Sequence, residues 1–516
     1  MVTGKMRRRE FLLAAGGAVA LAALNRRGAL AADSPRRPNI ILILTDDQGY
    51  GELGCHGNKI IKTPNLDQFF AASTRFTDFH VSPTCSPTRC SLMTGRHEFR
   101  SGVTHTILER ERMSLKATTV AQVLKSAGYT TGIFGKWHLG DEALYQPDRR
   151  GFDEVFVHGA GGIGQTYPGS CGDAPGNTNF NPAILHNRVF EKTNGYCTDI
   201  FFNQAIQWIG KKRGGQAPFF AYITPNAPHA PHLVPEKYAR MYEGTGLAEE
   251  AMKYYGMITN IDENIGMLIA KLKEWGIESN TLVIFMTDNG HSMGQLYNAG
   301  MRGNKGTPYQ GGTRVPSFWR WPGVLKAAVD VDKPAAHIDI FPTFAELAEA
   351  KIPEGLQLDG RSLAPLLKDP AGPWPDRYVF VHVGRWQKGK AAESKYAKCA
   401  VRTSRFRLVN NTELFDIRND PGEAKNVIDQ YPKEVAAMRA AYDKWWDEVL
   451  PAMENEDAVG PAVNPYKELY WKQFGGGPKE GDIKTAINDK GTKEKRKKTR
   501  TKQQFRGQGS GIGKQQ

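Results

Sequence analysis

Four strand-like stretches, two of them continuous β-branched runs, punctuate the first three hundred residues, and each stops abruptly at polar side chains. Ile40 to Leu44 runs into Thr45-Asp46-Asp47, and Thr281 to Met286 into Thr287-Asp288-Asn289-Gly290. Thr130 to Phe134 leads to Gly135-Lys136-Trp137-His138, and Phe219 to Ile223 to Thr224-Pro225-Asn226-Ala227-Pro228-His229. Runs this short, rich in β-branched residues and without alternation, predict strands buried on both faces. Between them the apolar period lengthens to that of a helix. Val120, Val123, Leu124 and Ala127 predict a helix over 118–127 that Gly128 stops, and Ile258, Ile261, Ile265, Leu268, Ile269 and Leu272 predict one over 252–275 that Gly276 closes. Alternating strands and helices imply an α/β fold with a large, mostly parallel sheet flanked by helices. Function in such sheets gathers at the carboxyl ends of the strands, where all four polar endings fall.

The pattern changes after residue 370. Short strands are expected at 378–383, 399–403, 406–409 and 413–416, forming a small antiparallel sheet with an amphipathic helix over 431–450 packed on it. The expected division is therefore a targeting segment over 1–32, a catalytic α/β domain over 33–370, a smaller C-terminal α+β subdomain over 371–475 and a disordered basic tail over 476–516. A Gly-, Asn- and Pro-rich insert from 159 to 196 reads as a wall of the pocket.

The net charge of +14 suggests a nucleic-acid partner until it is located along the chain. Residues 1–32 hold six basic side chains against Glu10, and residues 490–516 hold ten against Glu494, so the stretch between them is neutral. The charge therefore says nothing about the substrate of the globular part, and no nucleic-acid partner is expected. The N-terminus has the pattern of a twin-arginine export signal: Arg8-Arg9-Glu10-Phe11-Leu12-Leu13, an apolar stretch from Ala14 to Leu24, then Ala29-Leu30-Ala31 as a cleavage site. The apolar stretch is shorter than the roughly 20 residues a bilayer span needs. An exported bacterial protein, periplasmic or extracellular, is expected, with an uncleaved anchor as the other reading. The tail has too little apolar surface to order itself; it is either simply solvated or a contact for polyanions. Six cysteines are few for a disulfide scaffold, and Cys171 with Cys197, flanking the insert, is the expected bridge.

Asp46, Asp47, Asp288 and Asn289 offer oxygen ligands only, which suits Ca²⁺ or Mg²⁺ and not zinc. Either pair alone reads equally well as a capped turn; the two together, each closing a buried strand, point to a cation. Cys85-Ser86-Pro87-Thr88-Arg89, continuing to Leu92-Met93-Thr94-Gly95-Arg96, supplies the decisive pattern. Pro87 suits a first helical turn, which puts Cys85 at a helix N-terminus, where free N–H groups and the helix dipole favour an anion. Arg89, one turn on, can fork onto an oxyanion. Taken alone, Cys-x-Pro is an ordinary cysteine before a capped helix.

As a whole, the run resembles the signature of the type I sulfatases of the alkaline phosphatase superfamily. Thr88 replaces the family's usual serine but keeps the hydroxyl. The resemblance implies that a formylglycine-generating or other sulfatase-maturing enzyme converts Cys85 to Cα-formylglycine, and that the hydrated aldehyde is the nucleophile. It implies that Asp46, Asp47, Asp288 and Asn289, completed by residue 85, bind calcium. Gly128 to His138 resembles the family's second signature, with Phe134 bulkier than usual, and makes Lys136 and His138 ligands of the nucleophile and sulfate oxygens. Pro228-His229-Ala230-Pro231 places His229 near the ester oxygen, and Gly303 to Pro316 carries a sulfate-binding lysine, Lys305. Catalytic roles thus fall on Cys85, Arg89, Lys136, His138, His229 and Lys305. His337-Ile338-Asp339 also resembles a family element but reads as packing. The resemblance covers about 38–350 closely and implies hydrolysis of a sulfated small molecule or glycan. Two rivals stay open. One is a phosphonate monoester or phosphodiester hydrolase of the same superfamily, which would usually carry histidine where Asn289 stands. The other is a non-catalytic binder of sulfated glycans, with Cys85 unmodified.

Overall fold

The computed structural model describes residues 37–478. The export pattern and all but the first residues of the basic tail lie outside the described residues. Asn39–Thr45 forms the centre of a ten-stranded sheet. In spatial order the strands are Val329–Val331, Thr74–Phe76, Ser317–Arg320, Thr281–Thr287, Asn39–Thr45, Phe219–Thr224, Thr130–Lys136, Glu154–His158, Ala183–His186 and Val189–Lys192. The five strands from Thr281–Thr287 to Glu154–His158 are mutually parallel, and these include the four read from the apolar runs. Antiparallel pairings lie on both flanks, so the sheet is mixed.

The period of two along a strand sorts its side chains into separate cores. Ile40, Leu42 and Leu44 pack into one with Leu282, Ile284 and Met286, under the Val120–Ser126 and Ile340–Leu347 helices. Ile41 and Ile43 pack into the other with Val283 and Phe285, under the Cys197–Lys212 and Glu249–Glu274 helices. A sheet covered on both faces leaves its strands no exposed side, which is why they read as unbroken apolar runs.

The four C-terminal strands, Val379–His382, Cys399–Arg402, Phe406–Val409 and Glu413–Asp416, form an antiparallel meander. The Pro432–Val449 helix lays Val435, Met438, Tyr442, Trp445, Trp446 and Val449 onto it at helical spacing. Trp445 stacks on Phe380 with ring centroids 4.9 Å apart. His337 and Asp339 are buried packing: Asp339 accepts hydrogen bonds from Ala336 N at 2.8 Å and Arg377 Nη1 at 2.7 Å.

Two features differ from expectation. The 159–196 insert contains a hairpin, Ala183–His186 with Val189–Lys192, that extends the large sheet, and a Pro465–Phe474 helix covers it through Phe190, Tyr466 and Tyr470. The expected Cys171–Cys197 bridge is absent; both thiols are free. Cys171 points its Sγ at Thr106 O, 3.9 Å away, whereas Cys197 opens a helix and packs into the core with Phe201 and Phe202. Flanking one loop in sequence does not aim two side chains at each other.

His382 gives the C-terminal sheet a pH dependence. It is buried between Phe99 and Trp446, with Nε2 3.0 Å from Ser394 O and Nδ1 accepting from Gly384 N at 2.9 Å. Burial depresses its pKa to about 3, against about 6.5 for an unfolded histidine. Between these values the unfolded chain binds the extra proton, so His382 destabilises the fold increasingly as pH falls from about 6.5 toward 3. The thermal midpoint should drop through this window, and His382→Gln should flatten the drop; parallel profiles for the two proteins would refute the assignment.

Candidate active site

The carboxyl ends of the parallel strands converge on one buried cluster. Asp46 and Asp288 leave adjacent strands, and the strand ends are tied by Asp288 N donating to Thr45 O at 3.1 Å. Asp47 turns into the left-handed region, φ 63°, which brings its N–H to Asp288 Oδ1 at 3.1 Å. Asn289 Nδ2 donates to Asp47 Oδ1 at 2.9 Å, and Tyr254 Oη to Asp47 O at 2.8 Å. The two expected pairs are therefore one unit.

Cys85 is the first residue of the Cys85–Thr94 helix and is buried. Thr88, in place of the family's serine, uses its hydroxyl to bond Ser82 O at 2.9 Å. Ligand atoms of Asp46, Cys85 and Asp288 all lie within 4.8 Å of one another. Arg89 is fully buried and forks onto Asp288, with Nη2 2.8 Å and Nε 3.2 Å from Oδ2. Its Nη1 donates to Thr224 Oγ1 and to Lys136 O at 3.3 Å. Lys136 Nζ donates to Asp46 Oδ2 at 2.6 Å, and Lys305 Nζ to Asp47 Oδ2 at 2.6 Å. Gly135 is required beside Lys136, because a Cβ there would lie 2.0 Å from Thr224 O on the neighbouring strand. Lys305 arrives on a loop pinned by Lys305 N to His291 O at 3.0 Å and Gly306 N to Pro83 O at 2.8 Å. That loop can approach because Gly290 meets Gly311 without side chains; a Cβ on Gly290 would lie 1.8 Å from Gly311 O.

His229 sits between two cis peptide bonds, Ala227-Pro228 and Ala230-Pro231, with Nε2 3.7 Å from Asp47 Oδ2. His138, at φ 60°, sets Nε2 2.8 Å from Thr106 O. A carbonyl partner requires that nitrogen to carry the proton and leaves Nδ1 as an acceptor, buried without a partner. The insert closes over both rings: a Cβ on Gly161 would lie 2.8 Å from His138 Cε1, and one on Gly162 3.3 Å from His229 Nδ1. All of the singled-out residues are thus brought to one place. Thr106, Thr224 and Tyr254 complete the cluster, and no spacing in the sequence marks them.

The electrostatics are compatible with a cation. Burial, aided by the neighbouring Asp47, pushes the Asp46 carboxyl up to about 6 although Lys136 is beside it. Burial and Asp46 push Asp288 up to about 7 despite Arg89. Burial works to raise Asp47 as well, but Lys305 and His229 outweigh it and hold that carboxyl well below the usual range. Burial would raise the Cys85 thiol, yet Lys136 and Lys305 hold it below its ordinary value. Asp46 Oδ1 and Asn289 Oδ1 are buried without a hydrogen-bond partner. Crowded carboxylates with orphaned oxygens fit a hard divalent ion.

The sulfatase family model matches residues 38–350, and a model of the N-sulphoglucosamine sulphohydrolase C-terminal region matches residues 304–444. The chain belongs to the sulfatase family. It is 32% identical to arylsulfatase A of Homo sapiens over 442 residues, covering 76% of this chain and 84% of that protein. It is 34% identical to arylsulfatase J of Mus musculus over 336 residues, 63% of this chain and 54% of that protein. The solved structure of Ps i-CgsB in complex with k-i-k-neocarrahexaose superposes with a TM-score of 0.73 at 28% identity, covering 84% of this chain and 97% of that one. These likenesses identify a sulfatase enzyme of the alkaline phosphatase superfamily. Among the described residues of this sulfatase, no helix is long and apolar enough to cross a membrane.

Proposed function

We propose that this sulfatase hydrolyses sulfate monoesters of carbohydrate or aryl alcohols, using residue 85 as Cα-formylglycine and a calcium ion held by Asp46, Asp47, Asp288, Asn289 and residue 85. The observation that carries the reading is Cys85 at a helix N-terminus beside four oxygen-bearing side chains, two with orphaned oxygens, flanked by Lys136 and Lys305. A carbohydrate ester is supported by the likeness to a sulfatase-fold protein solved with a neocarrahexaose. The hydrated aldehyde supplies a nucleophilic oxygen, and the cation stabilises the sulfuryl oxygens.

The chain's own residues do the rest. Lys136 and Lys305 direct ammonium groups at the non-bridging oxygens, and Arg89 holds Asp288 in place while adding its own charge. His229 or Lys305 gives a proton to the departing alcohol. His138, neutral with Nε2 committed to Thr106 O, takes a proton at Nδ1. Burial, with Lys136 close by, keeps its pKa well below the ordinary value and so keeps it unprotonated at neutral pH. Residues 33–370 form the catalytic part and 371–475 the smaller subdomain in this reading. A sulfatase-maturing enzyme is the implied partner, and twin-arginine export to the periplasm or beyond the implied destination.

Mass spectrometry of tryptic 76–89, from protein made with a maturation enzyme, tests the reading directly. A loss of mass matching conversion of Cys85 supports it; an unmodified thiol in active enzyme overturns it. Comparing an aryl sulfate with an aryl phosphonate separates it from the phosphonate hydrolase reading. Removing divalent ions with EGTA should stop turnover and lower the thermal midpoint. Calcium at about a hundred times its Kd should return roughly 2.7 kcal/mol of stability, and at lower concentration than magnesium. A midpoint that ignores both EGTA and calcium would dismiss the ion.

A further inference from the structure

Beside His138, a residue from the C-terminal part of the chain reaches the rim of the site. Arg385 is exposed, and its backbone is held at φ 58° by Arg385 N donating to Thr104 O at 2.9 Å. Gly384 sits so close to Thr104 that a Cβ there would lie 2.2 Å from Thr104 O. Arg385 Nη2 donates to Thr106 Oγ1 at 2.8 Å, on the residue whose carbonyl orients His138. Among the described residues no carboxylate pairs with this guanidinium, so most of its five N–H donors are left to solvent or ligand. A guanidinium pinned at one corner beside a reacting centre costs little entropy to use.

The loop that carries Thr106 continues into Leu108 and Glu109. Leu108 is 47% exposed, and Leu108 and Glu109 both adopt left-handed backbone, φ 69° and 62°. Backbone of that kind clusters where a loop is held for function. The Tyr167 hydroxyl, on the insert, is raised above its ordinary value chiefly by burial, and the charges that act on it include Cys85, Arg385 and Lys305. Tyr167 is thus within electrostatic range of both the proposed nucleophile and Arg385.

We propose that Arg385 is a specificity-determining residue that binds a second anionic group, a sulfate or carboxylate, on the same saccharide whose sulfate ester enters the Cys85 site. The proposal rests on the sulfate-ester reading above, and it assigns the substrate class as polyanionic glycan units in preference to isolated monosulfates. A planar fork beside the residue that orients His138 matches the bidentate geometry of either anion.

The test is calorimetric binding to the full chain carrying Cys85→Ala, so that affinity is read without turnover. The probes are glucosamine 6-sulfate against glucosamine 2-N,6-O-disulfate and, in parallel, galactose 6-sulfate against galactose 2,6-disulfate. A preference for the disulfate of at least one pair is expected, falling about tenfold to a hundredfold in Arg385→Ala, as for loss of hydrogen bonds to a charged group. Arg385→Lys, which keeps the charge but loses the fork, should keep only part of the preference. Equal weakening of mono- and disulfates in Arg385→Ala marks a merely structural residue and overturns the proposal, as does monosulfate binding with no preference to lose. Failure of every probe to bind overturns it too, and the sulfate-ester reading beneath it falls separately, only if the parent enzyme also hydrolyses no aryl sulfate.

Discussion

Cys85→Ser is expected to abolish catalytic turnover, by at least about 10³-fold, in protein whose thermal midpoint is close to that of the parent. The serine oxygen occupies the same buried helix N-terminus and faces the same Lys136 and Lys305 side chains, so binding of the sulfate survives. In the proposed mechanism the variant would lack the second hydroxyl of the hydrated aldehyde. That hydroxyl would let the carbonyl re-form with loss of sulfate, whereas a serine sulfate has no such exit and persists as a stable ester. Intact-mass measurement after exposure to an aryl sulfate should therefore show stoichiometric sulfation at residue 85 without release of a second equivalent of phenol. Multiple turnovers by the serine variant would sink the formylglycine mechanism outright.

Arg89→Ala should cost both activity and fold. From the motif alone Arg89 looks like a sulfate ligand whose loss would leave stability untouched. The structure spends its guanidinium on Asp288, Thr224 and Lys136 O, with the side chain fully buried. Truncation strands a buried carboxylate that Asp46 and burial already push up to about 7. Breaking one partner of such a pair costs about 3–5 kcal/mol, far more than removing a surface charge. Arg89→Ala combined with Asp288→Asn should recover part of that stability, because the unpaired charge goes with its partner, while activity stays lost. Equal midpoints for parent and Arg89→Ala would show that the ion pair adds nothing to stability. Activity restored by the double substitution would show that neither side chain takes part in the chemistry.

Much of the frame was legible without coordinates, because burial on both faces writes itself into composition. Ile40–Leu44 and Leu282–Met286 admit no polar position, and only a central strand under two helical layers requires that. The Pro432–Val449 helix was equally plain, since its apolar stripe repeats every three to four residues. The short strands Thr74–Phe76, Ser317–Arg320 and Val329–Val331 were not; with so few residues they carry no period, and their partners lie far off in sequence.

The site divides along the same line. Oxygen-only ligands after buried strands, the Cys85-to-Arg89 run and the Lys136, His138, His229 and Lys305 elements are written locally, as residue types at short fixed spacing, and they established the sulfatase resemblance by themselves. Only the tertiary structure could decide that Arg89 serves Asp288, that Thr106 fixes the His138 tautomer, that Cys171 and Cys197 are apart, and that Arg385 stands at the rim. Each of these turns on contacts between residues tens to hundreds of positions apart in the chain. Such contacts depend on which loops the two cores bring together, and a side chain's own neighbours in sequence hold no record of that.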